Sequence, residues 1–365
     1  MKTNEDSLYD VVRLIVMMLN DIKADGDSFQ NVSQIMDAAR SQSLEAITVD
    51  ALEYQGVRYQ NGVVRRAVIQ RRCVLYDDQL KQICDKLTKC GIWHMPLKGS
   101  ILKDYYPRFY HREMKDIDIL CDPMKRAQVK DIMESLGYTV ERYQKAHDDV
   151  YFKDSYFNIE MHFSLFGVKP GARFREYYSD VYNRLIKKSA YELRFSPEDM
   201  YIYMILHTYK HYIGGGVGVR YLLDTYFFLN RVYGQLDWQY IHRELKSLGV
   251  SDYEESQRSL SIKVFSGQSL TEQDCTDLDA YLLYGTHGSK KHAVEIGINH
   301  AKGAHPKLGY VSKRLFPTAD NLPEAYRFYR KHKIMLPVLW LYRPVKAVFR
   351  YPSKVISEIK LIRKT

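Results

Sequence analysis

Three acids and a small-residue turn are the residues of this chain best suited to chemistry. Asp116 and Asp118 stand two apart in Asp116-Ile117-Asp118-Ile119-Leu120. On a β-strand that spacing sends both side chains off one face, ~6.6 Å apart along the backbone. Carboxylates that close repel each other unless a cation lies between them. Magnesium takes hard oxygen ligands, usually one or two carboxylates plus substrate phosphates. A pair of such ions orients an attacking oxygen and stabilises a leaving pyrophosphate. A third acid, Glu160, sits in the alternating run Asn158-Ile159-Glu160-Met161-His162-Phe163 and shares its face with His162. If this strand pairs beside the Asp116 strand, the three carboxylates meet, and Glu160 is placed to bind a second metal and to activate an acceptor hydroxyl. Lys98-Gly99-Ser100 supplies a phosphate end. Gly99 lets backbone approach an anion, helix-terminal amides donate to it, Ser100 adds a hydroxyl and Lys98 screens charge. Singly, each feature has a plainer reading: an Asp-x-Asp is more often a solvent face, a Gly-Ser is usually only a turn, and a lysine at a strand end is solvated. Order and spacing join them into what nucleotidyl transfer requires.

The elements around these residues follow from periodicity. Residues 5–90 repeat apolar positions at helical spacing (Leu8, Val11, Val12, Ile15, Leu19; then Val74, Leu80, Ile83, Leu87) and predict an N-terminal helical region, 1–90. The pattern changes at Gly91. Strands are predicted over Ile92–Leu97 and Asp116–Cys121, with a short helix from Ser100 to Tyr106 between them. Asp122-Pro123 reads as a cap and first-turn proline for a helix ending near Gly137. Val150–Phe152 and Phe157–Ser164 read as two strands joined by the polar turn 153–156. Residues 91–167 thus form a small α/β core. Residues 168–365 read as a C-terminal helical region with a basic tail, including a helix opening at Ser196-Pro197 and another from Arg220 to Arg231, separated by the Gly214–Gly218 turn. Thr271 and Asp274 suggest a capping box for a further helix. The fold class is α+β: a small mixed sheet flanked by helical regions.

With those elements in place, Gly99-Ser100, Asp116-Ile117-Asp118 and Glu160 resemble the active-site signature of the polymerase beta-like nucleotidyltransferase superfamily. Leu97-Lys98-Gly99-Ser100, Tyr105-Tyr106-Pro107, Arg112 and Asp116–Leu120 are similar to a family of largely uncharacterised bacterial nucleotidyltransferases, as are His207, Lys210, His211, Asp224 and Leu336-Pro337. The resemblance covers about residues 60–345. It implies Asp116, Asp118 and Glu160 as catalytic metal ligands for Mg2+ or Mn2+, with Gly99 and Ser100 as phosphate contacts to a nucleoside triphosphate. Lys115 departs from it, since a small residue often precedes the first acid.

His207, Lys210 and His211 share one helical face, and Arg220 and Asp224 share another across the glycine turn. One reading gives Lys210 and Arg220 to the triphosphate or the acceptor; the other makes these residues a polar helix interface with an Arg220–Asp224 pair. Thr208 in place of a glutamate argues against a zinc-protease motif at His207 and His211.

The 365 residues carry a net charge of +10, and Lys302 to Thr365 hold fifteen Lys and Arg against three acids. That tail faces phosphates, nucleic acid or anionic lipid, or it is a solvated surface; Val345, Val348, Val355, Ile359 and Ile362 interleave with its basic residues, which suits an amphipathic helix on a membrane surface or, more commonly, a tail packed on its own domain. Five cysteines without metal spacing, and no signal-like or membrane-spanning run, lead us to expect a cytoplasmic protein. The expected activity is transfer of a nucleoside monophosphate, AMP by preference, to a small-molecule or protein acceptor. An RNA acceptor ranks lower, since no RNA-binding module is visible. The rival is a non-catalytic nucleotide- or partner-binding module of the same fold, serving regulation or toxin neutralisation.

Overall fold

The computed structural model describes residues 4–25, 28–29, 31–154, 156–167, 172–284, 294, 298, 305–319, 322 and 326–364. Lys302, Asp320, Glu324 and Thr365 of the basic tail, and Ser155 of the strand turn, lie outside them. The chain opens on four helices: α1 (Asn4–Leu19), α2 (Val32–Gln42), α3 (Glu45–Tyr54) and the long α4 (Gln60–Lys89). The apolar positions Leu8, Val11, Val12 and Ile15 are buried. They join a core that also takes Leu222, Phe227, Leu260 and Phe265 from far along the chain.

The sheet follows, assembled from β1 (His94–Pro96), β2 (Ile117–Cys121), β3 (Thr139–Arg142), β4 (Asp148–Lys153) and β5 (Phe157–His162) in the order β1-β2-β5-β4-β3. Between β1 and β2 lies the short helix α5 (Gly99–Leu102), and α6 (Arg126–Ser135) follows β2. β2 and β5 run parallel; every other neighbouring pair is antiparallel. The crossover through α6, β3 and β4 makes that parallel pairing possible.

Alternation decides which face each side chain takes. Ile117, Ile119, Cys121, Ile159 and Met161 pack down onto Tyr76, Ile83 and Leu87 of α4 and Val129, Ile132 and Met133 of α6. Each such apolar side chain contributes roughly 1.5–3 kcal/mol on burial. A one-residue slip of β2 or β5 would turn this set outward, so the register is firmly fixed. The residues in between, Asp118, Leu120, Glu160 and His162, are thereby turned to the other face.

That second face is covered from the later helices. After α7 (Ala172–Tyr177) and the small hairpin β6 (Ile186–Lys187) and β7 (Leu193–Arg194) come α8 (Pro197–Gly215) and α9 (Arg220–Val232). Ser196 caps α8, its Oγ accepting the Asp199 amide at 3.1 Å, with Pro197 in the first turn. The turn to α9 uses Gly215 and Gly216, at φ 157° and 104°. Leu120 packs with Met200, Tyr201 and Met204 of α8 in a further core. α10 (Trp238–Ser247), α11 (Ser251–Phe265) and α12 (Glu272–Tyr284) complete this region. The tail follows as α13 (Pro306–Leu315), α14 (Arg327–Lys331), α15 (Leu336–Arg350) and α16 (Pro352–Lys364). Among the described residues no helix is long and apolar enough to cross a membrane.

The α+β class is as expected. β3 and the β6–β7 hairpin were not. β3 is an edge strand whose one apolar residue, Val140, leaves no alternation to read, and β6 and β7 are two residues each.

Candidate active site

In the parallel ladder Asp118 lies directly opposite Glu160, and Leu120 opposite His162. Donor atoms of Asp118, Glu160 and His162 lie within 4.8 Å of one another. His162 Nε2 donates to Asp118 Oδ1 at 2.8 Å and stands 3.6 Å from Glu160 Oε2. Asp116 precedes β2 by one residue and lines the same cavity, but it is not one of this close group. Two of the three expected acids are therefore brought together, and a histidine stands as the third member. The signal for His162 was present: it is two residues from Glu160 on one strand face.

Lys98 is placed otherwise than expected. Its Nζ donates to Asp118 Oδ1 at 2.6 Å instead of standing free for phosphate. Its backbone has φ 51° and ψ −123°, a conformation costly for a residue with a Cβ and found chiefly at functional sites. Burial opposes the Lys98 charge, but Asp118 above all, then Asp116 and Glu160, hold its ammonium well above the ordinary lysine value. Burial likewise opposes the Asp118 charge; Lys98 and His162 outweigh it and keep this carboxyl far below its usual range. Asp118, only 2% exposed, lies under the cavity floor with Lys98 and His162 over it.

Above this floor is a cavity of about 450 Å³, within the size range of small-molecule sites. Its lining includes the acids Asp116, Glu160 and Asp148, the cations Lys210, Arg112, Arg142 and Arg220, and His147, His207 and His211; Arg142 is paired with Asp148. Arg220 Nε is buried without a hydrogen-bond partner. Lys210 is pulled below its ordinary value by burial and by Lys98. His147 is lowered to about 3 by burial and by His162, so it is neutral at physiological pH. Gly99 lines the cavity and Ser100 is buried beside it. A Cβ on Gly99 would come within 2.9 Å of Met114 Cγ, so close packing requires glycine there. α5 has only four residues, and its dipole adds correspondingly little for an anion. Ser43, at the end of α2, reaches the cavity as well; as a lone polar residue between helices it gave no sequence signal.

The segment leading into β2 is fixed from both helical regions. Arg112 Nε donates to Asp224 Oδ1 at 2.6 Å, and so does the Tyr106 hydroxyl, also at 2.6 Å. Asp224 is thus paired with Arg112, not with Arg220 as one reading of the α9 spacing had it. Glu113 accepts the Ala46 amide at 3.0 Å, and His111 Nε2 donates to Asp50 at 2.8 Å. These contacts set where Asp116 and Asp118 enter the sheet.

Glu160 is the titrating member of the group. Burial, and then Asp118, push its carboxyl up to about 7, against the partial relief given by Lys98. Between pH 4.5 and 7 the unfolded chain releases a proton that the folded chain keeps. Stability therefore falls as pH rises through that window and levels off above it, a loss of at most about 3 kcal/mol. Glu160→Gln is expected to melt higher than the parent at pH 8 in chelator and level with it at pH 4.5. An equal difference at both pH values would contradict this electrostatic origin.

The donor set fits a divalent cation. Two carboxylates and an imidazole converge, with Asp118 Oδ1 already accepting from Lys98 Nζ and His162 Nε2. A family model described as "Uncharacterised nucleotidyltransferase" matches residues 30–261, more than half of the 365 residues. The matched stretch contains the whole sheet and both helical walls of the cavity. No curated protein and no solved structure matches the chain.

Proposed function

The chain belongs to the uncharacterised nucleotidyltransferase family, and from that premise we propose a divalent-metal-dependent enzyme that transfers a nucleoside monophosphate, AMP by preference, from the triphosphate to an acceptor hydroxyl or phosphate. The observation that carries the reading is the parallel β2–β5 register, which sets Asp118 against Glu160 on the cavity side of the sheet. Asp118, Glu160 and His162, with Asp116 at the margin, would hold Mg2+ or Mn2+. Such an ion supplies charge neutralisation at the phosphates and polarises the reacting oxygens. Lys210 and Arg220 bind the triphosphate. Glu160, beside that ion, accepts the proton of the acceptor hydroxyl. The acceptor oxygen bonds to the α-phosphorus as the bond to the bridging oxygen breaks, and pyrophosphate leaves. Most of the rate enhancement is positioning and charge stabilisation.

The Lys98–Asp118 ion pair favours a second reading. A lysine that already neutralises the central acid suits a module that binds nucleotide without turning it over. Pyrophosphate release from ATP with Mg2+ or Mn2+, measured with and without chelator, separates the two. We expect release that depends on the metal and is lost in Asp116→Asn/Asp118→Asn. Nucleotide binding with no release in any metal would favour the binding module. Release unchanged in the double variant would end the catalytic reading.

A further inference from the structure

The tail helix α15 is built the wrong way round for a water-facing helix. A surface helix turns its apolar stripe to the core and its polar face outward. In α15 and the turn before it, Ile334, Val338, Leu341, Val345, Val348 and Phe349 follow one another at spacings of four, three, four, three and one, which is a single helical face. All six are exposed, Ile334 at 89%, Leu341 at 76% and Phe349 at 84%. The opposite side holds the helix to the protein: Leu339 is fully buried, and Trp340 Nε1 donates to the Pro317 carbonyl at 3.0 Å. The stripe is therefore not the face by which α15 docks. It continues into α16, where Ile356 and Ile359 are exposed.

The same segment is basic. From Tyr326 to Lys364 the chain has eleven Lys and Arg and one acid, Glu358. That acid is already engaged by Arg314 at 2.8 Å. Lys346 lies 5.3 Å from the Tyr342 ring and Arg350 lies 6.0 Å from Tyr351, which places cations on the same helix as the apolar row. Apolar side chains outward and basic residues on the same helix match the chemistry of a bilayer whose headgroups are anionic: the apolar row enters the acyl boundary and the cations meet the phosphates.

We propose that α15 and α16 form a docking surface for an anionic lipid membrane, lying in the plane of its interface. A nucleic acid is a poorer match. Its phosphates call for outward cations, and here the outward row is the apolar set Ile334, Leu341 and Phe349. A second copy of the chain is also a poorer match, because two-fold pairing would bring two segments of strong net positive charge together. This surface lies outside the matched residues 30–261 and does not depend on the reaction proposed above.

The full-length protein is to be sedimented with phosphatidylcholine vesicles, with and without about one-third phosphatidylserine, at physiological salt. Binding is expected to be about tenfold or more tighter to the anionic vesicles, and high salt is expected to weaken it. Leu341→Asp/Phe349→Asp removes the two most exposed members of α15 without touching Leu339 or Trp340. Its melting temperature is expected to match the parent, and its vesicle binding to fall by about tenfold or more. No sedimentation of the parent with anionic vesicles overturns the proposal, as does equal binding by the aspartate variant. So does a parent that is dimeric, becomes monomeric on that substitution and ignores vesicles, or one that binds RNA and not lipid.

Discussion

Asp118→Asn is expected to lower metal-dependent pyrophosphate release by about a thousandfold or more, the scale on which removing a charge-stabilising group acts. The substitution keeps shape and one accepting oxygen, so Lys98 and His162 can still donate to position 118. What it removes is the negative charge. Asp118 stands in the middle of the sheet, opposite Glu160, and its carboxyl stays ionised far below neutrality because Lys98 and His162 favour the anion. Without that charge the cation site keeps one carboxylate and an imidazole, and its affinity for a divalent ion falls with its reactivity. Folding should suffer less. Breaking a fully buried ion pair costs about 3–5 kcal/mol, but the Lys98 side chain is 23% exposed at the cavity and can turn to water, so about 1–2 kcal/mol is expected. The companion Lys98→Met tests the other partner. It leaves Asp118 and Glu160 facing each other without a cation, and added Mn2+ should then raise the melting temperature more than it does in the parent. Activity of Asp118→Asn within tenfold of the parent, with the protein folded, would remove the basis for catalysis at this group.

Much of this site was legible because it lies on strands. Asp118 and Glu160 alternate with Ile117, Ile119, Ile159 and Met161, and those apolar neighbours announce both the strand and the buried face. The capping signals were equally readable: Ser196 and Pro197 open α8 as written, and Thr271 and Asp274 satisfy each other's backbone amides at 2.9 and 3.2 Å. Three things lay beyond reach. The role of Lys98 depends on a backbone conformation that no sequence pattern encodes for a lysine. The distance between Asp116 and the Asp118 group depends on where β2 begins, and a two-residue spacing cannot say whether its first member is still in the strand. The choice of Arg112 over Arg220 as the partner of Asp224 joins residues more than a hundred positions apart. Helical spacing reports only neighbours on one helix; it is blind to a pair made by packing α9 against the segment before β2.

That pair makes the second large prediction. Asp224→Ala is expected to cost about 3–5 kcal/mol, more than any substitution on the cavity floor. Asp224 is 3% exposed and Arg112 6%. Burial opposes the Arg112 charge, but Asp224 first and then Tyr106 keep its guanidinium above the ordinary value, so it cannot escape by losing a proton. The alanine leaves Arg112 Nε and the Tyr106 hydroxyl buried without their acceptor, on a guanidinium that keeps only its bond to the Glu113 carbonyl. The penalty is that of the stranded groups and not the net worth of the bond. The combined variant Tyr106→Phe/Arg112→Met/Asp224→Leu leaves no unpaired charge, only the Glu113 carbonyl without its Arg112 donor, and should recover most of the lost stability in a thermal melt. Activity should not return with it. Arg112 Nη1 also donates to the Glu113 carbonyl at 2.8 Å, and a Cβ on Gly99 would lie 3.7 Å from that nitrogen, so the guanidinium helps set the path of the chain into Asp116 and Asp118. A methionine fills the space without holding the carbonyl. Melting of Asp224→Ala within a degree or two of the parent would show that the pair is not what anchors this segment. Full activity in the triple variant would show that the anchor does not position the acids.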